Sequence, residues 1–235
     1  DPQLIRKVLK RLPFRDAFIY CIESIIPGKW LVKKLRREKV RGIVTMTEYT
    51  AKHLVKNAWP EPMVKAILPG VDCLLNYSTS SVVYDKYAPI IAGRKHLLYM
   101  GPARTVRGIY FAMKAFDTVA DDLNDVALIC LIRESTDKEI TTFRQVVKKL
   151  RNRNSFVVIE DRLNQNDVVH FIQSSHVVML PFLLIPSEIP LAVIEAMSLG
   201  KPVIITETGG TSAFVGKGGI VVPQNDVRAL ADGIK

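Results

Sequence analysis

Pro186-Ser187-Glu188-Ile189-Pro190-Leu191-Ala192-Val193-Ile194-Glu195-Ala196-Met197-Ser198-Leu199-Gly200-Lys201-Pro202-Val203-Ile204 reads as a loop, a helix opening near a Ser and a Pro, a Gly stop and an apolar strand. Glu188 and Glu195 fall on its first turns, seven residues apart, and share a face if the helix covers both. In an open α/β sheet such a loop lies at the carboxyl edge of the strands, where ligands bind. The unpaired N–H groups of the helix start suit an anion such as a nucleotide diphosphate. Beside a diphosphate two carboxylates would repel it, so ribose or sugar hydroxyls suit them better. The ordinary alternative is a Glu favouring the helix dipole and a Glu195 paired with Lys201.

Outward from this stretch, strand-length apolar runs alternate with segments of helical period. Upstream lie strands at 96–100, 126–132, 156–159 and 177–180, with helices at 109–119, 138–151 and 166–174 between them. Downstream come strands at 203–206 and 219–222 and a helix from Val227. This is a doubly wound, Rossmann-like parallel sheet. Residues 73–95 show no sustained period and read as a connection, so the domains run 1–75 and 96–235 with a linker at 76–95. The first holds a basic helix at 3–12, strands at 17–22, 42–46 and 64–68, and helices at 29–39 and 48–57, the last capped by Thr47. So few strands make a partial α/β domain, whose front part is expected to lie outside this chain.

With 235 residues and 48% hydrophobic content the chain can bury one large core or two modest ones. No apolar run reaches the roughly 18 to 20 residues that cross a bilayer, and the start lacks the shape of a signal peptide, which points to the cytoplasm. Cys21, Cys73 and Cys130 are scattered, with no metal-ligand spacing around them or the four histidines, so buried thiols are expected and no metal site. The net charge of +10 favours polyanions. Much of it lies at 29–41, where Lys29, Lys33, Lys34, Arg36, Arg37, Lys39 and Arg41 interleave with Trp30, Leu31, Val32, Leu35 and Val40. That pattern fits a helix lying on an anionic membrane, or equally a solvated helix whose apolar side packs inward. Nucleic acid is the weaker partner, since aromatic platforms and recognition motifs are missing.

Two further loops follow strands. Gly101-Pro102-Ala103-Arg104-Thr105-Val106-Arg107-Gly108 combines glycines with two arginines able to clamp phosphate oxygens. Thr206-Glu207-Thr208-Gly209-Gly210-Thr211-Ser212 supplies a Gly-Gly turn with N–H groups and hydroxyls. Three loops from three strand ends thus converge on one edge.

These residues resemble the retaining glycosyltransferases of family 4, which have the two-domain GT-B fold. Ile194-Glu195-Ala196-Met197-Ser198-Leu199-Gly200-Lys201-Pro202-Val203-Ile204 looks like that family's hallmark helix and strand, and Thr208-Gly209-Gly210 like the loop after it. Gly219-Ile220-Val221-Val222-Pro223-Gln224-Asn225-Asp226 and Leu68-Pro69-Gly70-Val71-Asp72 also match. The resemblance implies transfer of a hexose from a nucleotide diphosphate sugar, of the GDP-mannose or UDP-glucose type, with retention and without a metal or other cofactor. A glycan is the expected acceptor, or a lipid-linked molecule as the basic segment 29–41 suggests, and the protein is expected to be cytoplasmic with peripheral contact on the inner membrane face through 29–41. The resemblance implies a ribose-binding role for Glu195 and diphosphate contacts for Arg107 and Arg104. Ser187 and Glu188 fall to the sugar side, and Gly209, Gly210 and Thr211 to donor contacts, with Arg107 and Glu188 as the catalytic pair. The chain departs from the pattern at Pro102, where the family has Arg, and at Ser187, where it has the first glutamate. Ala213 also stands where the family often has Glu. A non-catalytic nucleotide-sugar-binding or scaffold protein of the same fold is the alternative.

Overall fold

The computed structural model describes residues 28–38, 40–71, 80–123, 125–184, 189–208 and 211–235. The expected helix at 3–12 and strand at 17–22 lie outside them, as do Cys21, Cys73, Ser187, Glu188, Gly209 and Gly210. A division after Gly70 separates a smaller unit from a larger one made of Val71–Ile185 and Pro190–Lys235.

In the smaller unit, α1 (Gly28–Arg37), β1 (Ile43–Thr45), α2 (Glu48–Lys56) and β2 (Val64–Ala66) follow the predicted alternation. β1 and β2 pair in parallel, from Ile43 opposite Val64 to Thr45 opposite Ala66. The Thr47 hydroxyl accepts the Thr50 N–H at 3.1 Å and caps α2 as expected. α1 divides its residues unequally. Val32 is buried, whereas Lys29, Lys33, Lys34, Arg36 and Arg37 are exposed and Trp30 is 55% exposed.

The larger unit contains α3 (Val82–Ile91), β3 (Lys95–Gly101), α4 (Ile109–Val119), β4 (Val126–Ile132), α5 (Asp137–Val147), β5 (Phe156–Ile159), α6 (Gln165–Ser174), β6 (Val177–Leu180), α7 (Leu191–Ser198), β7 (Val203–Thr206), α8 (Thr211–Val215), β8 (Gly219–Val222) and α9 (Val227–Ile234). The strands form one parallel sheet in the order β5-β4-β3-β6-β7-β8. Leu97–Met100, 127–132 and 178–180 are buried without the alternation of a half-exposed strand, because helices cover both faces. On one face Leu98, Ile129, Val178 and Ile205 pack with Ile91, Phe171 and Ala196. Each of these side chains larger than alanine contributes about 1.5 to 3 kcal/mol of burial. Phe111, Phe116, Phe171 and Cys130 are core, as their positions suggested.

Numbered from β3, this order is the doubly wound one, and it reverses between β3 and β6. The crossover from β3 runs to β4 and that from β6 to β7, so the chain leaves these neighbours in opposite directions. At such a reversal open α/β sheets bind their ligands.

Two expectations need correction. The span 73–95 is not wholly a connection, since α3 belongs to the larger unit. Ser81 caps it, accepting the Tyr84 N–H at 2.9 Å and donating to buried Asp167 at 2.8 Å. The serines before it and Pro89 in its last turn obscured the helical period. In addition, α7 does not cover Glu188. Proline has no N–H and forces the residue before it out of the helical region, so the helix starts only after Pro190, with no carboxylate in its first turn.

Candidate nucleotide site at the carboxyl edge of the sheet

The loop after β3 is held rigidly. The Tyr99 hydroxyl donates to the Pro102 carbonyl at 3.0 Å, Ser135 Oγ accepts the Ala103 N–H at 2.8 Å, and the Arg133 N–H donates to the Gly101 carbonyl at 3.1 Å. Burial pushes the Tyr99 phenol far above its ordinary pKa, with the Arg107 charge acting the other way, so this donor stays protonated. The Val106 carbonyl then accepts the N–H groups of Leu183 and Leu184, at 2.9 and 3.1 Å, from the loop after β6. Gly108, at φ +81°, makes this approach possible, since a Cβ there would lie 1.7 Å from the Pro181 carbonyl oxygen. The same β6 loop is tied to the strands beyond it: Thr206 Oγ1 donates to the Phe182 carbonyl and Gln224 Nε2 to that of Leu183, the latter at 3.2 Å. Loops from β3, β6, β7 and β8 therefore meet at one edge, as three loops were expected to do.

The arginines of the β3 loop have different surroundings. Arg104, expected to reach the diphosphate, donates instead to Glu139 Oε1 at 2.8 Å and to the Glu134 carbonyl at 3.1 Å. Burial raises the Glu139 pKa, but bonds from the Thr136 N–H, Arg104 and the Thr136 hydroxyl outweigh it and hold the carboxyl below its ordinary value. Glu139 also completes the capping box of α5. Arg107 has no ion pair among the described residues. It is half-buried, with its guanidinium carbon 5.7 Å from the centre of the Phe182 ring.

The helix starts show the same selectivity. In the larger unit α3, α5, α6 and α9 are capped by Ser81, Thr136, Asn164 and Asp226 side chains. α4 and α7 begin at Gly108 and Pro190 with no side-chain cap. These are the two helices that follow the diverging strands β3 and β6. Neither has an acidic residue in its first turn, an arrangement that suits an anion at the positive end of the dipole.

Glu195 lies in the second turn of α7, half-buried, and no described residue pairs with it; the alternative ion pair with Lys201 does not form. Thr211, expected as a donor contact, has its hydroxyl engaged within the fold. It is 2% exposed, accepts the Thr208 N–H at 2.9 Å and donates to the Thr206 carbonyl at 3.1 Å. Ser135 and Gln224 are supports the sequence did not reveal, because their partners are backbone groups of distant loops. His170 packs at a tilt against the Tyr84 ring and His176 accepts the His96 N–H, both structural as expected. No cluster of metal-ligating side chains occurs among the described residues. A cavity of about 550 Å³ opens beside β5, lined by Tyr87, Phe143 and Val158 among others. Its Arg144 is paired with Glu160 and its Asp161 with Lys86. It therefore offers a phosphate less than the switch point does.

Residues 94–235 match the family described as Glycosyl transferases group 1. The chain belongs to this family. No curated protein matches it. Among solved structures, this group 1 chain is similar to a glycosyltransferase from Rickettsia africae, at 17% identity and a TM-score of 0.70, covering 89% of this chain and 56% of that one. An α,α-trehalose-phosphate synthase (UDP-forming) from Burkholderia xenovorans, in complex with glucose-6-phosphate, gives 12% identity and 0.69 over 88% and 57%. HepE from Anabaena, in complex with UDP-glucose, gives 17% and 0.64 over 82% and 52%. The chain spans about half the length of these structures. Their likeness shows the fold, an α/β architecture with a parallel sheet of the GT-B glycosyltransferase type. No described helix of the group 1 chain is long and apolar enough to cross a membrane.

Proposed function

We propose that the larger unit holds the diphosphate of a nucleotide sugar at the β3–β6 switch point. The chain then serves transfer of a hexose, from a UDP-glucose or GDP-mannose type donor, to a glycan or lipid-linked acceptor with retention of configuration. The observation that carries this reading is Arg107, a half-buried guanidinium with no ion pair among the described residues, set just before the uncapped start of α4 and over the Phe182 ring of the β6 loop. In that position its charge would offset the negative charge that develops on the departing diphosphate. Glu195, unpaired on α7, would accept from ribose hydroxyls. Neither step needs a metal or cofactor. Family membership supports the reading, as do the UDP-glucose bound to HepE and the UDP-forming reaction in the name of the Burkholderia enzyme.

Calorimetric titration with UDP and GDP tests it. One of them should bind, and Arg107→Gln should weaken that binding about tenfold to a hundredfold, the value of a hydrogen bond to a charged group. Equal affinity in the variant rejects the assignment.

Binding without transfer is the second reading. The capture of Arg104 by Glu139 and the presence of Pro102 favour it, because only one of the expected cationic contacts is then free on the β3 loop. Release of the free nucleotide from a panel of nucleotide sugars and acceptors separates the two. The lipid-linked acceptor is supported by α1, whose exposed lysines, arginines and Trp30 suit an anionic bilayer on the cytoplasmic side. Sedimentation with vesicles containing anionic lipid should carry the protein down, and Lys33→Glu with Lys34→Glu should leave it in the supernatant.

A further inference from the structure

With Arg104 held by Glu139, the β3 loop offers a diphosphate one guanidinium, and the structure supplies another from the next strand. Most arginines of the larger unit are accounted for. Arg94 donates to two backbone carbonyls, Arg144 pairs with Glu160 and Arg151 with Asp121. Arg153, Arg162 and Arg228 are exposed to solvent. Arg107 and Arg133 alone are half-buried without a bonded partner among the described residues. The five N–H donors of each guanidinium have no bonded partner among the described residues.

Arg133 stands one residue beyond β4, at the same carboxyl edge as Arg107. Its backbone N–H is bonded to Gly101, the residue that opens the loop carrying Arg107, and its carbonyl accepts the Ser135 hydroxyl at 3.2 Å. Ser135 in turn accepts the Ala103 N–H. The backbone beneath Arg133 is thus anchored to the β3 loop from both sides. Arg133 forms no ion pair among the described residues, and the Glu139 carboxylate is held by Arg104. We infer that Arg133 is the second guanidinium of the donor site and grips the diphosphate together with Arg107. This inference rests on reading the switch point as a nucleotide-diphosphate site.

Calorimetry on the full chain tests it, with UDP and GDP as probes and uridine and guanosine as controls that lack phosphate. Arg133→Gln should lose tenfold or more in affinity for the diphosphate and leave nucleoside binding unchanged. Arg133→Lys should fall between, since an ammonium cannot fork onto two oxygens. Arg104→Gln should bind as the wild type. If Arg107→Gln loses the diphosphate while Arg133→Gln keeps it, the inference about Arg133 falls and the reading of the site stands. If the wild type binds neither diphosphate, both fall. Near-UV circular dichroism checks folding, and if Arg133→Gln does not fold, Arg133→Lys takes its place. A lysine variant with wild-type affinity, or one that loses nucleoside and diphosphate equally, overturns the inference.

Discussion

At the scale of single residues, the site depends on groups whose needs the fold leaves unmet. Glu195 on α7 has no partner among the described residues, although Lys201 follows closely in sequence. Glu195→Ala should weaken nucleotide-sugar binding by about 1 to 3 kcal/mol, the cost of leaving buried hydroxyls unpaired, as titration would show. Unchanged affinity would remove the ribose role. Gly108 has a different kind of importance. Its positive φ costs a non-glycine residue about 1 to 2 kcal/mol, and a methyl group would collide with the Pro181 carbonyl. Gly108→Ala should therefore destabilise the larger unit by more than about 2 kcal/mol, with overpacking added to backbone strain. Urea unfolding measures this, and a loss under about 1 kcal/mol would contradict the close approach of the two loops.

At the scale of elements, side-chain caps divide the helices of the larger unit, present on α3, α5, α6 and α9 and not found on α4 and α7. α3 shows the first kind most clearly, because Ser81 both caps it and gives buried Asp167 a donor. Ser81→Ala removes a cap and a bond to a charged group together, an expected loss of about 2 to 4 kcal/mol in the urea transition. Thr136→Ala at α5, where the cap is exposed, should lose about 1 kcal/mol. Equal losses at the two sites would mean that the bond between Ser81 and Asp167 contributes nothing. α7 shows the second kind, since Pro190 at its N-cap makes no side-chain cap bond.

At the scale of the molecule, the amino edge of the sheet carries a pH dependence remote from the site. The ring of His176 accepts the His96 N–H through Nδ1 at 3.1 Å, which requires a neutral imidazole. Burial, and then the charges of His96, Lys201 and Lys95, hold its pKa below the ordinary 6.5. An unfolded chain therefore takes up this proton at a higher pH than the folded one. The stability His176 contributes is present above about pH 6.5 and is lost as pH falls from there through the folded pKa. Urea midpoints between pH 7.5 and 5 should fall less steeply in His176→Asn than in the wild type, and parallel curves would refute the assignment.

Much of the larger unit was legible because its strands are unbroken apolar runs bounded by turn residues. The spans 126–132, 156–159, 177–180, 203–206 and 219–222 are observed as read, and α4 begins and ends where its period does. α3 was illegible, since serines and Pro89 carry the signature of a turn while the bond holding its start comes from Asp167, far along the chain. Local chemistry by itself therefore determined most elements of the larger unit, their parallel arrangement and the edge on which the loops after the strands lie. Only the tertiary structure could decide that Arg104 is closed off by Glu139 while Arg107 and Arg133 stay open. Whether a charge is available depends on which distant carboxylate folds against it, and spacing along a chain does not encode that.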